Sequence, residues 1–272
     1  VDVAGSSVTV LARPVAELWK FRELIALLVQ RDLKVRYKRS VLGMGWTLVN
    51  PLLQMLVYTL VFSTIMRVGV PQFPVFLLAG LLPWTLISVS VTGSAHCLLN
   101  NQGLIRKVAV PQMVYPLAVV ASKLVDLVLS LVPFTVLALA LGRPPGPAWL
   151  FLAPALALVA VFSVGLALLF SSLTVFYRDM RHLIDILIQV WFYVTPVIYP
   201  PEFLEKLPQV WMRAALLANP ATPLVRLFQL ALYEGRAPSL ALLGGATASA
   251  VGVLGLGLAV FLRHEDEHIY HF

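Results

Sequence analysis

The sequence predicts an all-α integral membrane protein. It has six transmembrane helices, an N-terminal amphipathic interfacial helix, and two short re-entrant outer helices between the fifth and sixth spans. Three observations lead there. Of 272 residues, 60% are hydrophobic and only 12% charged, about half the charged share of a soluble domain. Uncharged runs long enough to cross a hydrocarbon layer recur along the chain. Basic residues gather in the segments between alternate runs, as they do in cytoplasmic loops. The formal charge of +7 therefore reads as membrane topology and not as nucleic-acid binding. A single cysteine, Cys97, rules out an internal disulfide. The first 40 residues carry charges throughout and show no apolar core of a cleavable signal.

Val41 to Met66 is uncharged over 26 residues, roughly 39 Å as a helix, which is ample for a core of about 30 Å. Asn50-Pro51 lies inside it, and proline removes a backbone donor, so a kink is expected there. The second span is placed at 75–98, trimmed by Pro71, Pro74 and "NNQG" at 100–103. The third covers 112–141 and contains Lys123 and Asp126; the fourth covers 148–175, after the turn-forming "GRPPGP". A short fifth span, 182–199, ends in "TPVIYPP", and the sixth covers 238–262. Between the last two, Leu207–Ala218 and Thr222–Tyr233 read as short amphipathic helices broken by "NPATP". They are too polar for one full span but apolar enough to dip into one membrane face, with a seventh span as the competing reading. The organisation is an interfacial segment (1–40), a transmembrane domain (41–262) and a cytoplasmic tail (263–272). With both termini inside, thirteen Lys/Arg fall on the cytoplasmic side and six outside, four of them in one long outer loop. The short loops decide the orientation.

Glu17 to Lys34 forms a helix with Leu18, Phe21, Leu24, Ile25 and Leu28 on one side and Lys20, Glu23, Gln30, Arg31 and Lys34 on the other. Asp32 falls near the apolar side, against the pattern. Such a helix lies along the inner leaflet. "KVRYKRS" then makes a basic corner where the chain turns into the first span, suited to anionic headgroups and to anchoring topology.

"RDLKVRYKRSVLGMGW", "NPLLQMLVYTLVF", "LIRKVAVPQMVYPLA", "FYRDMRHLIDILIQVWFYVTPVIYP" and "LLANPATPLVRLFQ" follow one another in an order that resembles the membrane subunits of ABC-2 type exporters of polysaccharides. The similarity extends from about Glu17 to Glu267, and the nearest subgroup is the O-antigen, capsule and teichoic-acid permeases. The resemblance implies a homodimer in the bacterial inner membrane, bound to two cytoplasmic ATPase subunits, that exports a lipid-linked glycan. It implies no cofactor in this chain, with ATP and Mg held by the partner. It also implies a coupling helix near Asn100–Val110, with Gly103, Leu104, Ile105, Arg106 and Lys107 at its centre. There the apolar residues would fill a groove in the ATPase while the cations pair with its carboxylates. No G-x-x-x-x-G-K-[ST] occurs in the sequence, so an ATPase site is not expected here and the chain is not expected to be an enzyme.

Further candidates depend on this frame. Arg36, Lys38 and Arg39 are candidates for guiding a phosphate-bearing lipid head to the entrance. Trp46, Tyr58, Trp84, Trp191, Phe192, Tyr193 and Tyr199 are candidate channel-lining rings, since flat rings stack on sugar faces and tolerate sliding. Trp46 and Tyr199 also fit ordinary interfacial anchors. Lys123 and Asp126, three apart on one helix, form a structural pair in this reading, with a proton relay as the competing one. "HEDEH" at 264–268 spells the zinc-protease pattern H-E-x-x-H, yet it follows the last span directly and reads as a polar tail. The alternatives are an ABC-2 exporter of small hydrophobic molecules and a non-transporting membrane scaffold.

Overall fold

In a hydrocarbon layer every backbone N–H and C=O must be bonded within the protein, and a helix does this within one segment. The computed structural model describes residues 19–37, 45–61, 70–107, 110–177, 179–200, 214 and 218–271. Those residues contain helices and turns and no strand. The helices are α1 (Arg22–Tyr37), α2 (Trp46–Thr59), α3 (Phe73–Ala95), α4 (Cys97–Asn100), α5 (Gln102–Ile105) and α6 (Val114–Ala140). A 3₁₀ turn (Pro147–Phe151) leads into α7 (Leu152–Phe176), followed by α8 (Met180–Val194). Then α9 (Thr222–Gln229) runs into a π-helical turn (Leu230–Glu234), and α10 (Leu240–His271) closes the described chain.

Four segments among the described residues are long and apolar enough to cross a membrane: Phe73–Ala95, Val114–Ala140, Pro147–Phe176 and Leu240–Glu265. They coincide with the second, third, fourth and sixth expected spans. The helix at the fifth expected position, α8, has 15 residues, below the ~20 that a full crossing needs; that at the first, α2, shows 14, with 41–44 and 62–66 of the expected span outside the described residues. The helix α2 runs unbroken through Asn50–Pro51. Of the two expected outer helices, the second is α9 with its π turn, while 207–213 and 215–217 lie outside the described residues.

The post of the assembly is α3, 78% of whose apolar stretch is buried inside the protein. It packs against α2, α6, α7, α8 and α9. Proline at its second position sits where a helix lacks N–H partners anyway, and Gln72 before it adopts a left-handed conformation (φ 49°). Gly80 lets the post meet the turn after α8: a Cβ there would lie 3.0 Å from the Val197 carbonyl oxygen.

The most extensive helix pairing is α7 with α10. Its cause is two glycines. A Cβ on Gly257 would sit 2.0 Å from the Gly165 carbonyl oxygen, and one on Gly165 would sit 2.6 Å from the Leu254 backbone. The two backbones therefore touch, the close approach that small residues permit between membrane helices. Gly252, on the same helix as Gly257, faces open space.

Gly257→Val places atoms inside another backbone, and overpacking of that kind costs about 3 kcal/mol or more. It is expected to lower the thermal unfolding midpoint of the detergent-purified protein by many degrees. Gly252→Ala gains helix propensity, by about 1 kcal/mol, and is expected to hold or raise that midpoint.

Candidate functional site

The end of the molecule that carries α1 is called basal here, the opposite end distal. At the basal end the amphipathic pattern of α1 is realised. Phe21, Leu24, Ile25, Leu28 and Val29 pack in a cluster with Cys97, Leu98, Met113, Val114 and Ala118. Lys20, Glu23, Gln30, Arg31 and Lys34 are exposed. Asp32, misplaced by periodicity, accepts a hydrogen bond of 2.8 Å from the buried Ser122 hydroxyl on α6. A polar residue on the packed face thus has a partner, as burial demands. Both Nη atoms of Arg31 donate to Asn101 Oδ1 at 3.3 Å, and Asn101 Nδ2 donates to the Cys97 carbonyl at 2.7 Å. The helix α1 is thereby tied to the turn between α4 and α5.

The one-turn helix α5 and the turn after it carry the expected coupling residues. Gly103, Leu104, Arg106 and Lys107 are exposed, while Ile105 is buried in the basal cluster. The sequence reading set Ile105 beside Leu104 in a partner's groove. The structure instead uses Ile105 to anchor the turn to its own subunit, because successive positions of a one-turn helix point to different sides.

"HEDEH" is not a loose tail. The helix α10 continues through it, and His268 is fully buried. Its Nδ1 lies 2.9 Å from Gln112 Oε1 and its Nε2 2.9 Å from Ser172 Oγ. Gln112 Nε2 donates to the Glu265 carbonyl at 3.1 Å, and the Gln112 backbone N–H to Glu265 Oε1 at 3.3 Å. Phe176 and Phe261 flank the His268 ring at 5.5 and 5.3 Å, and His264 packs on Phe176 at 5.2 Å. This burial comes from the α7–α10 register, which no local pattern reveals.

The aromatic candidates divide. Trp84 meets Trp191 edge-on at 5.7 Å and Phe192 at 5.7 Å; Tyr58 stacks on Phe192 at 5.8 Å; Phe162 lies 6.2 Å from Trp191. These rings form one cluster joining α2, α3, α7 and α8, and Trp84 and Phe192 are buried in it. Trp46 and Tyr193 keep exposed rings, and Tyr199 is half-buried, its hydroxyl donating to the Tyr193 carbonyl at 3.1 Å. Of the entrance candidates, Lys38, Arg39 and the side chain of Arg36 lie outside the described residues. Lys123 and Asp126 are half-buried on α6.

A feature of α8 escaped the sequence reading. Ile184, Ile188, Trp191 and Phe192 face or abut the core, while His182, Asp185, Gln189 and Tyr193 are exposed. At about 100° per residue these four share one stripe of about 80°. Beside it runs an exposed apolar stripe of Leu183, Ile186, Leu187 and Val190. The signal was present as i, i+3, i+7, i+11 spacing, but hydropathy averaged over the helix hides it.

At the distal end, Arg143 from the α6–α7 loop reaches Gln72 Oε1 and the Tyr233 carbonyl through its N–H groups, and its guanidinium lies 4.4 Å over the Tyr233 ring. Tyr233 in turn donates to the Pro71 carbonyl at 2.8 Å, and Arg226 pairs with Glu234 at 2.5 Å. Asn219 of "NPATP" is buried and uses its whole amide. Oδ1 accepts from Trp191 Nε1 at 2.8 Å and Ala221 N at 3.0 Å; Nδ2 donates to Thr195 Oγ1 at 2.9 Å and the Val194 carbonyl at 3.3 Å. This distal segment is bolted to the end of α8.

Four long apolar helices packed as a bundle, with an amphipathic basal helix and an exposed basic turn, have the form of a multi-pass membrane protein. Comparison with known proteins agrees. The profile of the ABC-2 type transporter family matches residues 23–233. The chain is 38% identical over 260 residues to the "O-antigen export system permease protein RfbA" of Myxococcus xanthus, covering 94% of this chain and 98% of that protein. It is 33% identical over 185 residues to a protein of the same name from Klebsiella pneumoniae, covering 68% of this chain and 71% of the relative. Similarity to the "Polysialic acid transport protein KpsM" of Escherichia coli is 24% over 249 residues, covering 89% and 93%. The chain belongs to the ABC-2 type transporter family, as a membrane permease.

Asn219→Ala removes four hydrogen bonds and leaves buried partners unpaired, a loss of about 2–3 kcal/mol. It is expected to lower the unfolding midpoint in detergent and alter Trp191 fluorescence. Tyr193→Ala, at an exposed ring, is expected to shift stability by less than about 1 kcal/mol.

Proposed function

We propose that this chain is the membrane subunit of an ATP-driven exporter that moves a lipid-linked polysaccharide, of the O-antigen, capsule or teichoic-acid kind, across the bacterial cytoplasmic membrane. The observation that carries the reading is the end-to-end similarity to an O-antigen export permease, 94% of this chain against 98% of that one. In this reading α2 and α8 are the first and fifth of six passes, and 1–40, 41–262 and 263–272 are the interfacial, transmembrane and tail segments. Both termini face the cytoplasm, supported by thirteen basic residues against six. Two copies pair and two cytoplasmic ATPases, holding ATP and Mg, dock beneath them.

The mechanism follows from where free energy enters. The exposed Leu104, Arg106 and Lys107 offer an apolar contact and two cations to a partner with acidic residues. Closure of the ATPases on ATP pushes this turn, which Arg31 and Ile105 bind to α1 and the basal cluster. Arg36, Lys38 and Arg39 would receive the phosphate of the lipid head at the inner leaflet. The glycan then passes along the α8 stripe of His182, Asp185, Gln189 and Tyr193. A charged residue facing lipid is expensive, so an exposed Asp185 on a membrane helix is best accommodated beside water and sugar hydroxyls. The same stripe argues against a path for small hydrophobic molecules. At the distal mouth the Arg143–Tyr233 contact holds the outer segment in place.

Deleting the gene is expected to abolish the surface glycan and leave its lipid-linked form accumulating inside. Normal surface glycan in the deletion would defeat the proposal. Reversing both Arg106 and Lys107 to Glu is expected to weaken recovery of the ATPase with the purified permease by about tenfold. The path is read with thiols, since Cys97 is buried. Cysteines at Asp185, Gln189 and Tyr193 are expected to react with a membrane-impermeant maleimide. Cysteines at Leu183 and Leu187 are expected to stay silent. Equal labelling of both stripes would exclude α8 as the lining.

A further inference from the structure

The zinc-protease-like motif at the end of α10 takes no part in the mechanism so far, yet its His268 is fully buried with both ring nitrogens engaged. Gln112 stands five positions beyond Lys107, between the exposed turn and the start of α6. Its amide nitrogen is committed to the Glu265 carbonyl, so its oxygen is the end that faces His268. An oxygen there can only accept, so His268 Nδ1 carries the proton and Nε2 accepts from the Ser172 hydroxyl. All of this lies in a sleeve made by Phe176 and Phe261.

We infer that His268 is a positioning residue of the transport stroke: it ties the segment after the coupling turn to the α7–α10 pair, so a push on that turn moves both helices together. This rests on the coupling reading above. Apolar packing alone would hold the three elements together but let them slide. Directional bonds in an apolar sleeve fix register, because slipping by one position strands several buried polar groups at once. Gly165 and Gly257 already lock α7 to α10 backbone to backbone. His268 adds the third member, through Gln112. The ring serves as a strut with one donor and one acceptor, both nitrogens being engaged within the protein.

The test uses the full permease–ATPase complex in membranes, with His268→Asn and His268→Gln compared directly. The Asn amide nitrogen occupies the position of Nδ1 and keeps the bond to Gln112. The Gln amide lies nearer Nε2 and abandons it. Both keep an amide at the site, so the comparison holds even where His268→Ala fails to accumulate. In both variants ATP hydrolysis by the complex is expected to stay within about twofold of the parent, with export per ATP close to normal in His268→Asn and down about tenfold in His268→Gln. Equal export per ATP in the two variants would overturn the inference, as would a normal value in His268→Ala. Recovery of the ATPase with the parent permease, and its loss on reversing Arg106 and Lys107, reports on the coupling reading separately. With that recovery intact, a failure here falls on His268 alone.

Discussion

The backbone-to-backbone contact of α7 and α10 at Gly165 and Gly257 is the constraint on which the rest of the bundle depends. In water, two helices are driven together by the apolar surface they hide. In lipid that drive vanishes, and association depends on how closely backbones can approach and how completely polar groups are satisfied. With no side chain between them, α7 and α10 meet in a single register. That register sets Phe176 against His264 and His268, and Ser172 against the His268 ring. A single branched side chain at the crossing would separate the helices, and every basal contact below it would lose its geometry.

Polar satisfaction is the second theme. Several hydroxyls in the long helices bond back to the preceding turn: Ser130 to the Asp126 carbonyl at 2.8 Å, Thr135 to Leu131 at 2.7 Å, Thr174 to Phe170 at 2.7 Å. These bonds stay within one helix. Those that cross between elements are different: Asp32 with Ser122, Arg31 with Asn101, Gln112 with His268, Asn219 with Trp191 and Thr195. They lie at the two ends of the bundle and join elements that are distant in sequence. The middle is held by rings instead, Trp84, Trp191, Phe192 and Tyr58 meeting at 5.7–5.8 Å. Such contacts are weakly directional beside hydrogen bonds and so tolerate small rotations of α8.

Much of this was legible before any coordinates. The four long spans fell within a few residues of their expected places, and the face of α1 that packs is the one its periodicity names. Asp32 looked like an error in that pattern because its partner, Ser122, is 90 positions away. Ile105 looked equivalent to Leu104 because both are apolar neighbours, and only the fold turns one of them inward. The aromatic candidates looked alike for the same reason. Trp84 and Phe192 are covered by α2 and α8 partners, whereas Tyr193 remains at the surface beside Asp185 and Gln189.

The sequence by itself determined the solvent, the order of the elements and the family, because each is carried by local properties. Charge scarcity, run length and motif order do not depend on what touches what. Tertiary structure alone decided that His268 of "HEDEH" is buried with both ring nitrogens engaged, that two glycines among 16 make the central contact, and which stripe of α8 is polar and open. Each of these depends on which face of one helix meets which face of another. That choice is made by steric fit and hydrogen bonding between distant residues, and a linear pattern holds no record of it.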